Sequence, residues 1–404
     1  MTPGLGNSPV GRRLHDAGRV RQTPPVPADL DQTRTVAAPG RPAVVERRTL
    51  ILAVVASVAT ATTLVLRVSG AESVAVFAVA AIALGGLAGL VGEGTNQLGR
   101  HLGPGPTGVL QSALGNLPEL FVAIFALQAG LVAVVQAALI GSILANALLI
   151  LGLAFLLGGL RHGTQRFRAA QTRMMAMLLV LAVAALAIPT LATAPGAPDQ
   201  GHATELSVVV SLVLLVVFTA SVPFFLRQGS VDGAPDAAAV EAGEGSAWPI
   251  AGAIGTLLVA GVAAAFVSDW FVEALQPAMA ALGMSEAFAG LVVVAIAGNA
   301  VENVVGVQAA MRNQPDLAVS LILNSSLQVA LALTPALVLL SLVVGAVPLT
   351  LVVAPLLVGA LALSVVLAAL VVIDGKSTWL EGLALIGLYV IIAASVWWGP
   401  AIGS

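Results

Sequence analysis

The sequence predicts an all-α integral membrane protein of about eleven transmembrane helices, arranged as one leading helix and two inverted five-helix repeats. Its 404 residues are 58% hydrophobic and only 9% charged, with a mean hydropathy of +1.01, which indicates a polytopic membrane protein and not a soluble enzyme. Apolar runs long enough to cross the hydrocarbon core, about 20 residues each, recur along the chain. A polar motif also occurs twice, with each position 183 residues from its counterpart.

The apolar runs define the predicted spans. The eleven candidates are residues 49–67, 73–92, 107–128, 131–157, 174–193, 205–226, 248–267, 287–310, 316–344, 349–372 and 379–398. They divide the chain into a leading helix (48–70), a first repeat of helices 2 to 6 (71–226) and a second repeat of helices 7 to 11 (248–404).

Two segments lie outside the predicted spans. Residues 1–47 are rich in Pro, Gly and Arg, which predicts a disordered basic cytoplasmic tail that orients the chain or touches anionic lipid. The tail lacks interleaved aromatic residues, so no nucleic acid partner is expected. Residues 227–247 form an acidic cytoplasmic linker, which is either simply solvated or collects cations. Its acidic residues are Asp232, Asp236, Glu241 and Glu244.

The distribution of Lys and Arg predicts the orientation. With the N-terminus in the cytoplasm and the C-terminus outside, only Arg67 of the 17 cationic residues lies on the outer side. The loop cations that this topology places inside are Arg100, Arg161, Arg166, Arg168, Arg173, Arg227, Arg312 and Lys376. The short, Ala- and Val-rich chain suggests a bacterial cytoplasmic (inner) membrane. The sequence does not indicate an oligomeric state.

The repeated motif places one carboxylate inside each half of the protein. It reads Gly115-Asn116-x-x-Glu119 followed by Ser142-x-Leu144, and Gly298-Asn299-x-x-Glu302 followed by Ser325-x-Leu327. A lone charged carboxylate at such a depth costs roughly 2.5 to 3.5 kcal/mol or more. Five spans separate the two copies, and because this number is odd the second copy runs in the opposite direction. Inverted repeats of this kind are typical of secondary transporters, which bind their substrate near the midplane.

The residue types near the two glutamates favour a hard cation. Two carboxylates brought together repel each other, so the pair is discharged either by protons or by a divalent cation. Calcium takes six to eight oxygen ligands. The polar side chains of the motifs and of the adjoining spans that supply oxygen are Asn116, Asn299, Ser142, Ser325, Gln136, Gln328, Asn146 and Asn324. The alternatives are a neutral acid that joins two helices and, for the serines, small residues that allow close packing.

Other kinds of site are disfavoured. The chain has no cysteine, and its four histidines lie in predicted tails or loops, so thiolate and imidazole metal sites have no ligands within the membrane. The spans contain neither a Ser/His pair nor a His/Glu metal motif, so we expect no enzymatic activity and no cofactor. Pro118 and Gly115 predict a broken helix beside Glu119, where backbone carbonyls add further oxygen donors.

These motifs resemble the paired α-repeats of the cation/calcium exchanger superfamily, and most closely its calcium/proton exchanger branch. The first repeat matches in Gly115-Asn116-Leu117-Pro118-Glu119-Leu120, Val135-Gln136-Ala137 and Gly141-Ser142-Ile143-Leu144-Ala145-Asn146. The second matches in Gly298-Asn299-Ala300-Val301-Glu302-Asn303 and Ser325-Ser326-Leu327-Gln328. With Gly92-Glu93 and residues 158–161, the resemblance covers most of residues 50–400.

The resemblance implies an antiporter that exports cytosolic calcium in exchange for protons by alternating access. It implies that Glu119 and Glu302 are the exchanging carboxylates. The supporting ligands that it implies are Asn116, Asn299, Ser142, Ser325 and Gln328, with Gln136 as a further candidate. The proton-coupled branch typically has a histidine where this chain has Asn303, and Pro118 is similar to the proline of sodium-linked branches. A sodium-coupled calcium exchanger and a sodium/proton antiporter on the same scaffold therefore remain alternatives, and a channel is disfavoured.

Overall fold

The structure is a computed structural model that describes residues 47–102, 110, 114–197, 201–231 and 248–397. The predicted basic tail lies outside the described residues except for Arg47, which begins the first helix, and the predicted acidic linker beyond Val231 lies outside them too. The remainder is almost entirely helical, which confirms the predicted class.

The described elements follow one another with short connections. In chain order they are α1 (Arg47–Val68), α2 (Ser73–Leu102), α3 (Leu117–Gln128), α4 (Val132–His162), β1 (Gln165–Arg166), α5 (Ala169–Ala192), α6 (Ala203–Val231), α7 (Ile250–Leu282), α8 (Glu286–Gly298), α9 (Ala300–Met311), α10 (Pro315–Val344), α11 (Pro355–Val372), β2 (Lys376–Ser377) and α12 (Trp379–Trp397).

Nine helices among the described residues are long and apolar enough to cross a membrane, and there are ten if α8 and α9 together form one broken span. Helix α3 is apolar but short, and the predicted span 107–128 that contains it begins in residues outside this description. The count of eleven therefore stays a prediction.

Two helices extend well beyond the spans predicted from hydropathy. Helix α2 continues to Leu102 and α7 to Leu282, whereas the predicted spans ended near residues 92 and 267. The added turns carry charged residues, including Glu93 and Glu273. Charge lowers the hydropathy of a segment without preventing helix formation, so an apolar run marks the membrane-embedded part of a helix and not its end.

Connections that the charge pattern assigns to the cytoplasmic side meet at one end of the molecule. Strand β1 pairs antiparallel with β2, so that Arg166 lies opposite Lys376. The backbone N–H of Arg168 donates to Asp316 Oδ1 at the start of α10 (2.6 Å). Three connections with predicted inside cations thus share one end, which agrees with the predicted grouping, although which membrane face they occupy stays a prediction.

Arg67, the only cation predicted outside, binds the helix that lies beside its own. Its Nη2 is 2.6 Å from Glu273 Oε2, and its guanidinium carbon lies 5.8 Å from the centre of the Trp270 ring. Both charged side chains are well exposed, so a pair of this kind is worth about 0 to 1 kcal/mol. It links the end of α1 to α7 and contributes little to global stability.

Helices α4 and α8 pack with their backbones in close contact. A Cβ atom on Gly141 would overlap the carbonyl oxygen of Leu291, and one on Gly290 would overlap that of Val134. Small residues permit such approaches between membrane helices. The contact brings a helix of the predicted second repeat against the segment of α4 that carries Ser142.

Candidate cation site

The chain breaks its helix at the same motif position in both predicted repeats. Asn116 has φ −95° and ψ 18°, and Asn299 has φ −106° and ψ 13°, so neither residue continues the preceding helix. The predicted break beside Glu119 is confirmed. In the second copy Val301 occupies the position of Pro118, so the break does not depend on proline there. Pro118 lies in the first turn of α3, where a missing N–H costs little.

Both glutamates are the third residue of the helix that follows the break. Glu119 is 3% exposed and lies in the first turn of α3. Glu302 occupies the same backbone position in α9, and its side chain is not among those that the structure describes. The N-terminal end of a helix carries a partial positive charge, which stabilises a carboxylate by about 0.3 to 1 kcal/mol or more when partly buried. This placement offsets part of the cost of a carboxylate inside the membrane.

The Glu119 carboxylate is linked to the second predicted repeat through the hydroxyl of Ser142. Ser142 Oγ on α4 donates a short hydrogen bond to Glu119 Oε1. The same hydroxyl accepts from Asn299 Nδ2 at 3.0 Å, and this amide also donates to the carbonyl of Ala295 (3.2 Å). A Cβ on Gly298 would lie 3.4 Å from the Glu119 Cβ and Cγ atoms, so the second helix break packs against the first carboxylate.

Two further hydrogen bonds join predicted ligands across the repeats. Asn146 Nδ2 donates to Ser325 Oγ at 3.0 Å, and Asn116 Nδ2 donates to Gln328 Oε1 at 3.4 Å. All four side chains are buried. Asn146 was named from the sequence among the oxygen-bearing side chains of the adjoining spans, but not among the supporting ligands that the resemblance implies.

The amide nitrogen of Gln136 binds backbone carbonyls and not the cluster around Glu119. Its Nε2 donates to the backbone carbonyls of Thr350 (2.8 Å) and Val352 (3.0 Å), in the connection between α10 and α11. This amide nitrogen makes no hydrogen bond to Ser142, which lies six residues further along α4. The role of Gln136 as a cation ligand stays a prediction.

Each helix that carries a motif serine contains a π-helical segment directly after the motif. In α4 this segment is Ala145–Ile150, and in α10 it is Val329–Leu333. The two coincide to within one residue at the repeat offset. Single π-helical turns within α-helices are frequent at functional sites. Here they begin three residues after Ser142 and four residues after Ser325.

The cluster is chemically an oxygen site. Its described side chains present carboxylate, hydroxyl and amide oxygens, the ligands that hard cations prefer. Within the described part of the chain, no group of three or more His, Cys, Asp or Glu residues is placed to hold a metal ion. Among the described residues, the cluster combines one buried carboxylate with neutral hydroxyl and amide side chains.

Replacing Ser142 by alanine is expected to lower the apparent cation affinity about tenfold or more. The hydroxyl contacts both Glu119 and Asn299, and one hydrogen bond to a charged group is worth about 1.5 to 3 kcal/mol. Cation-dependent flux measured over a concentration series tests this. Ser326→Ala is the matched control, because that buried hydroxyl donates to the Ile322 carbonyl of its own helix (3.2 Å). Equal affinities in the two variants would remove Ser142 from the site.

A helical membrane protein with a buried oxygen cluster shared between distant helix breaks has the architecture of a cation carrier. The family model described as sodium/calcium exchanger protein matches residues 72–227 and 252–398. The chain therefore belongs to the sodium/calcium exchanger protein family, which confirms the resemblance read from the motifs and makes the protein a transporter and not an enzyme.

Related proteins share most of their length with this chain. A Ca²⁺/H⁺ antiporter of Aphanothece halophytica is 34% identical over 330 residues, which are 77% of this chain and 87% of the relative. The Ca²⁺/H⁺ antiporter ChaA of Bacillus subtilis is 33% identical over 309 residues, 75% of this chain and 86% of the relative. The solved structure of native YfkE superimposes with a TM-score of 0.72 at 28% identity, covering 86% of this chain and 99% of that protein.

Proposed function

We propose that the protein is a secondary active antiporter that exports cytosolic calcium in exchange for protons, by alternating access at a midplane site built on Glu119 and Glu302. The observation that carries this proposal is the Ser142 hydroxyl, which donates to Glu119 and accepts from Asn299 and so links the two predicted repeats at the breaks of their helices. The names of the related antiporters support calcium and protons as the exchanged ions.

The two family matches also support the division into two repeats. They end and begin on either side of the predicted linker, at residues 227 and 252. Their bounds agree with a first repeat over 71–226 and a second over 248–404. The similar backbone angles of Asn116 and Asn299 and the matched π-helical segments support the same division. We also propose that the two repeats have inverted topology and that the protein lies in the bacterial inner membrane. Its N-terminus is then in the cytoplasm and its C-terminus outside.

The chemistry of exchange is a competition for the carboxylates. Protons from the outer side neutralise Glu119 and Glu302, and the neutral carrier turns inward. Calcium then displaces the protons on the cytoplasmic side, and the loaded carrier turns outward. A site that is neutral in both loaded states avoids moving uncompensated charge through a medium where charge is costly.

Hydroxyls and amides suit this competition because they can donate a hydrogen bond to a carboxylate and can also offer an oxygen to calcium. Ser142 donates to the carboxylate in this structure, and by rotating its O–H it can present a lone pair to a cation. The amides of Asn299 and Asn116 carry a carbonyl oxygen beside the nitrogen that donates here. The proposed ligands are Glu119, Glu302, Asn116, Asn299, Ser142, Ser325 and Gln328.

Flux in proteoliposomes tests the proposal. Calcium uptake is measured under an imposed proton gradient without sodium, and again under a sodium gradient at uniform pH. We expect proton-driven calcium flux. Flux with sodium alone would instead establish the sodium-coupled alternative. Two observations favour testing that alternative: the family description names sodium, and Asn303, which is 7% exposed, directly follows Glu302. Absence of calcium flux under both gradients would contradict the choice of calcium.

A further inference from the structure

The connection between α10 and α11 contains a buried stretch of irregular backbone, residues 349–353, which we call the strap. Leu349 and Leu351 are 1% and 6% exposed. Thr190, Ser207 and Ser341, which contact the strap, lie two, four and three residues inside the ends of their helices. Buried irregular backbone requires hydrogen-bond partners for its polar groups, because it has no ladder of its own.

Side-chain hydroxyls of three helices satisfy alternate N–H groups of the strap. Leu349 N donates to Ser341 Oγ (2.8 Å), Leu351 N to Ser207 Oγ (2.9 Å) and Val353 N to Thr190 Oγ1 (3.0 Å). The Thr190 hydroxyl in turn donates to the carbonyl of Leu351 at 3.1 Å. These bonds attach the strap to α10, α6 and α5.

The opposite edge of the strap is bound to the helices of the candidate site. Gln136 on α4 donates to the carbonyls of Thr350 and Val352. Just before the strap, the N–H of Ala346 donates to the carbonyl of Leu127 near the end of α3 (3.4 Å). The strap thus lies between α3 and α4, which carry Glu119 and Ser142, and the helices α5 and α6.

An equivalent attachment exists at the matching position of the second repeat. Ala310 on α9 lies 183 residues after Leu127, and its carbonyl accepts from Gln165 Nε2 at 3.0 Å, in the connection after α4. In each case the connection that follows the serine helix of one repeat binds the end of the glutamate helix of the other. The two attachments thus occupy equivalent positions in the predicted repeats.

A cavity of about 40 Å³ borders the strap on the side of α4. Its walls include Gln136, Thr334 and Leu351, and Thr334 Oγ1 has no hydrogen-bond partner among the described residues. Well-packed interiors resist displacement because they lack voids of this size. The strap therefore borders space that its neighbours do not fill.

We propose that the strap couples the site helices to α5 and α6 during alternation, and that Gln136 is the positioning residue that ties the strap to α4. This inference rests on the proposed exchange function. It predicts that Gln136 controls turnover and leaves cation affinity unchanged, in contrast to the cation ligand predicted from the sequence.

Two substitutions distinguish a positioning residue from a ligand. Gln136→Glu keeps an oxygen ligand but cannot, as a carboxylate, donate to the two strap carbonyls, whereas Gln136→Leu removes donor and oxygen alike. For a strap anchor both variants are expected to lower the maximal calcium flux at least fivefold, with the apparent KM within twofold of the original. For a cation ligand the KM changes in both, in opposite directions. That result, or flux unchanged in both, would overturn the proposal. The exposed Gln308, changed to Glu and to Leu, serves as the matched control.

Thiol labelling tests the strap without any transport. The natural chain has no cysteine, so Leu351→Cys introduces a single reactive group into an otherwise unreactive protein. We expect slow labelling of this buried position, and at least fivefold faster labelling when Gln136→Leu or Gln136→Glu is added. Equal labelling rates would overturn the proposal. If labelling is faster in the Gln136 variants but the protein with its natural Gln136 shows no calcium flux, the strap proposal is supported and the proposed function is contradicted. The two failures are therefore distinguishable.

Discussion

Glu119→Gln is expected to abolish calcium exchange and leave a folded protein. Glutamine has the size of the glutamate that it replaces and can still pair with the Ser142 hydroxyl, so packing around this 3% exposed side chain should persist. It can neither carry the charge that binds a divalent cation nor release a proton to the other side. Glu302→Gln is expected to behave alike, because its backbone position at the start of α9 matches that of Glu119.

The measurement is proton-driven calcium flux in proteoliposomes that contain equal amounts of each variant. Elution as a single symmetrical species in detergent establishes that the variants are folded. Glu205→Gln is the matched control, because Glu205 is exposed in the first turn of α6, and its flux should equal that of the unaltered protein. Substantial exchange in both Glu119→Gln and Glu302→Gln would contradict the assignment of the exchanging carboxylates. The fold and the family would be unaffected.

The contacts of the site that could be predicted are those encoded locally and repeated. The break after Gly115 and the burial of Glu119 follow from a short motif, and its second copy at a fixed offset identifies Asn299 as the equivalent of Asn116. The short hydrogen bond between Ser142 and Glu119 agrees with the equal spacing of serine and glutamate in both copies. Duplication helped because it separated a functional pattern from the Gly, Pro and Ser residues that are ordinary in membrane helices.

Contacts that depend on tertiary structure could not be predicted in the same way. The strap is apolar and adjoins an apolar helix, so hydropathy assigns residues 349–353 to a span, although their backbone is irregular. Its geometry is determined by single hydroxyls from distant helices, and an isolated Ser or Thr in a membrane span has no distinguishing pattern. Gln136 was accordingly interpreted as a further ligand candidate, because Val135-Gln136-Ala137 resembles the first repeat of the exchanger superfamily. The bonds of its amide nitrogen to Thr350 and Val352 are visible only in the structure.

Gly141→Ala is expected to disrupt the packing of α4 against α8 and with it the site. Alanine is ordinarily the better residue within a helix, by about 1 kcal/mol. At Gly141 the added methyl group would overlap the backbone of Leu291, which cannot rotate away as a side chain could. Overpacking of this kind typically costs about 1 to 3 kcal/mol. Because Ser142 is the next residue, any separation of the two helices also displaces the hydroxyl that contacts Glu119 and Asn299.

Thermal unfolding in detergent and calcium flux together test this expectation, with Gly387→Ala as the matched control. Gly387 lies within α12, and a Cβ built on it meets no atom within 4 Å, so helix propensity alone decides the outcome there. We expect the control to be unchanged or slightly stabilised, and Gly141→Ala to have a lower Tm and reduced flux. A Tm and a flux equal to those of the control would show that α4 and α8 separate easily. In that case their close contact would not hold Ser142 in place, and the site would depend on the hydrogen bonds between the repeats instead.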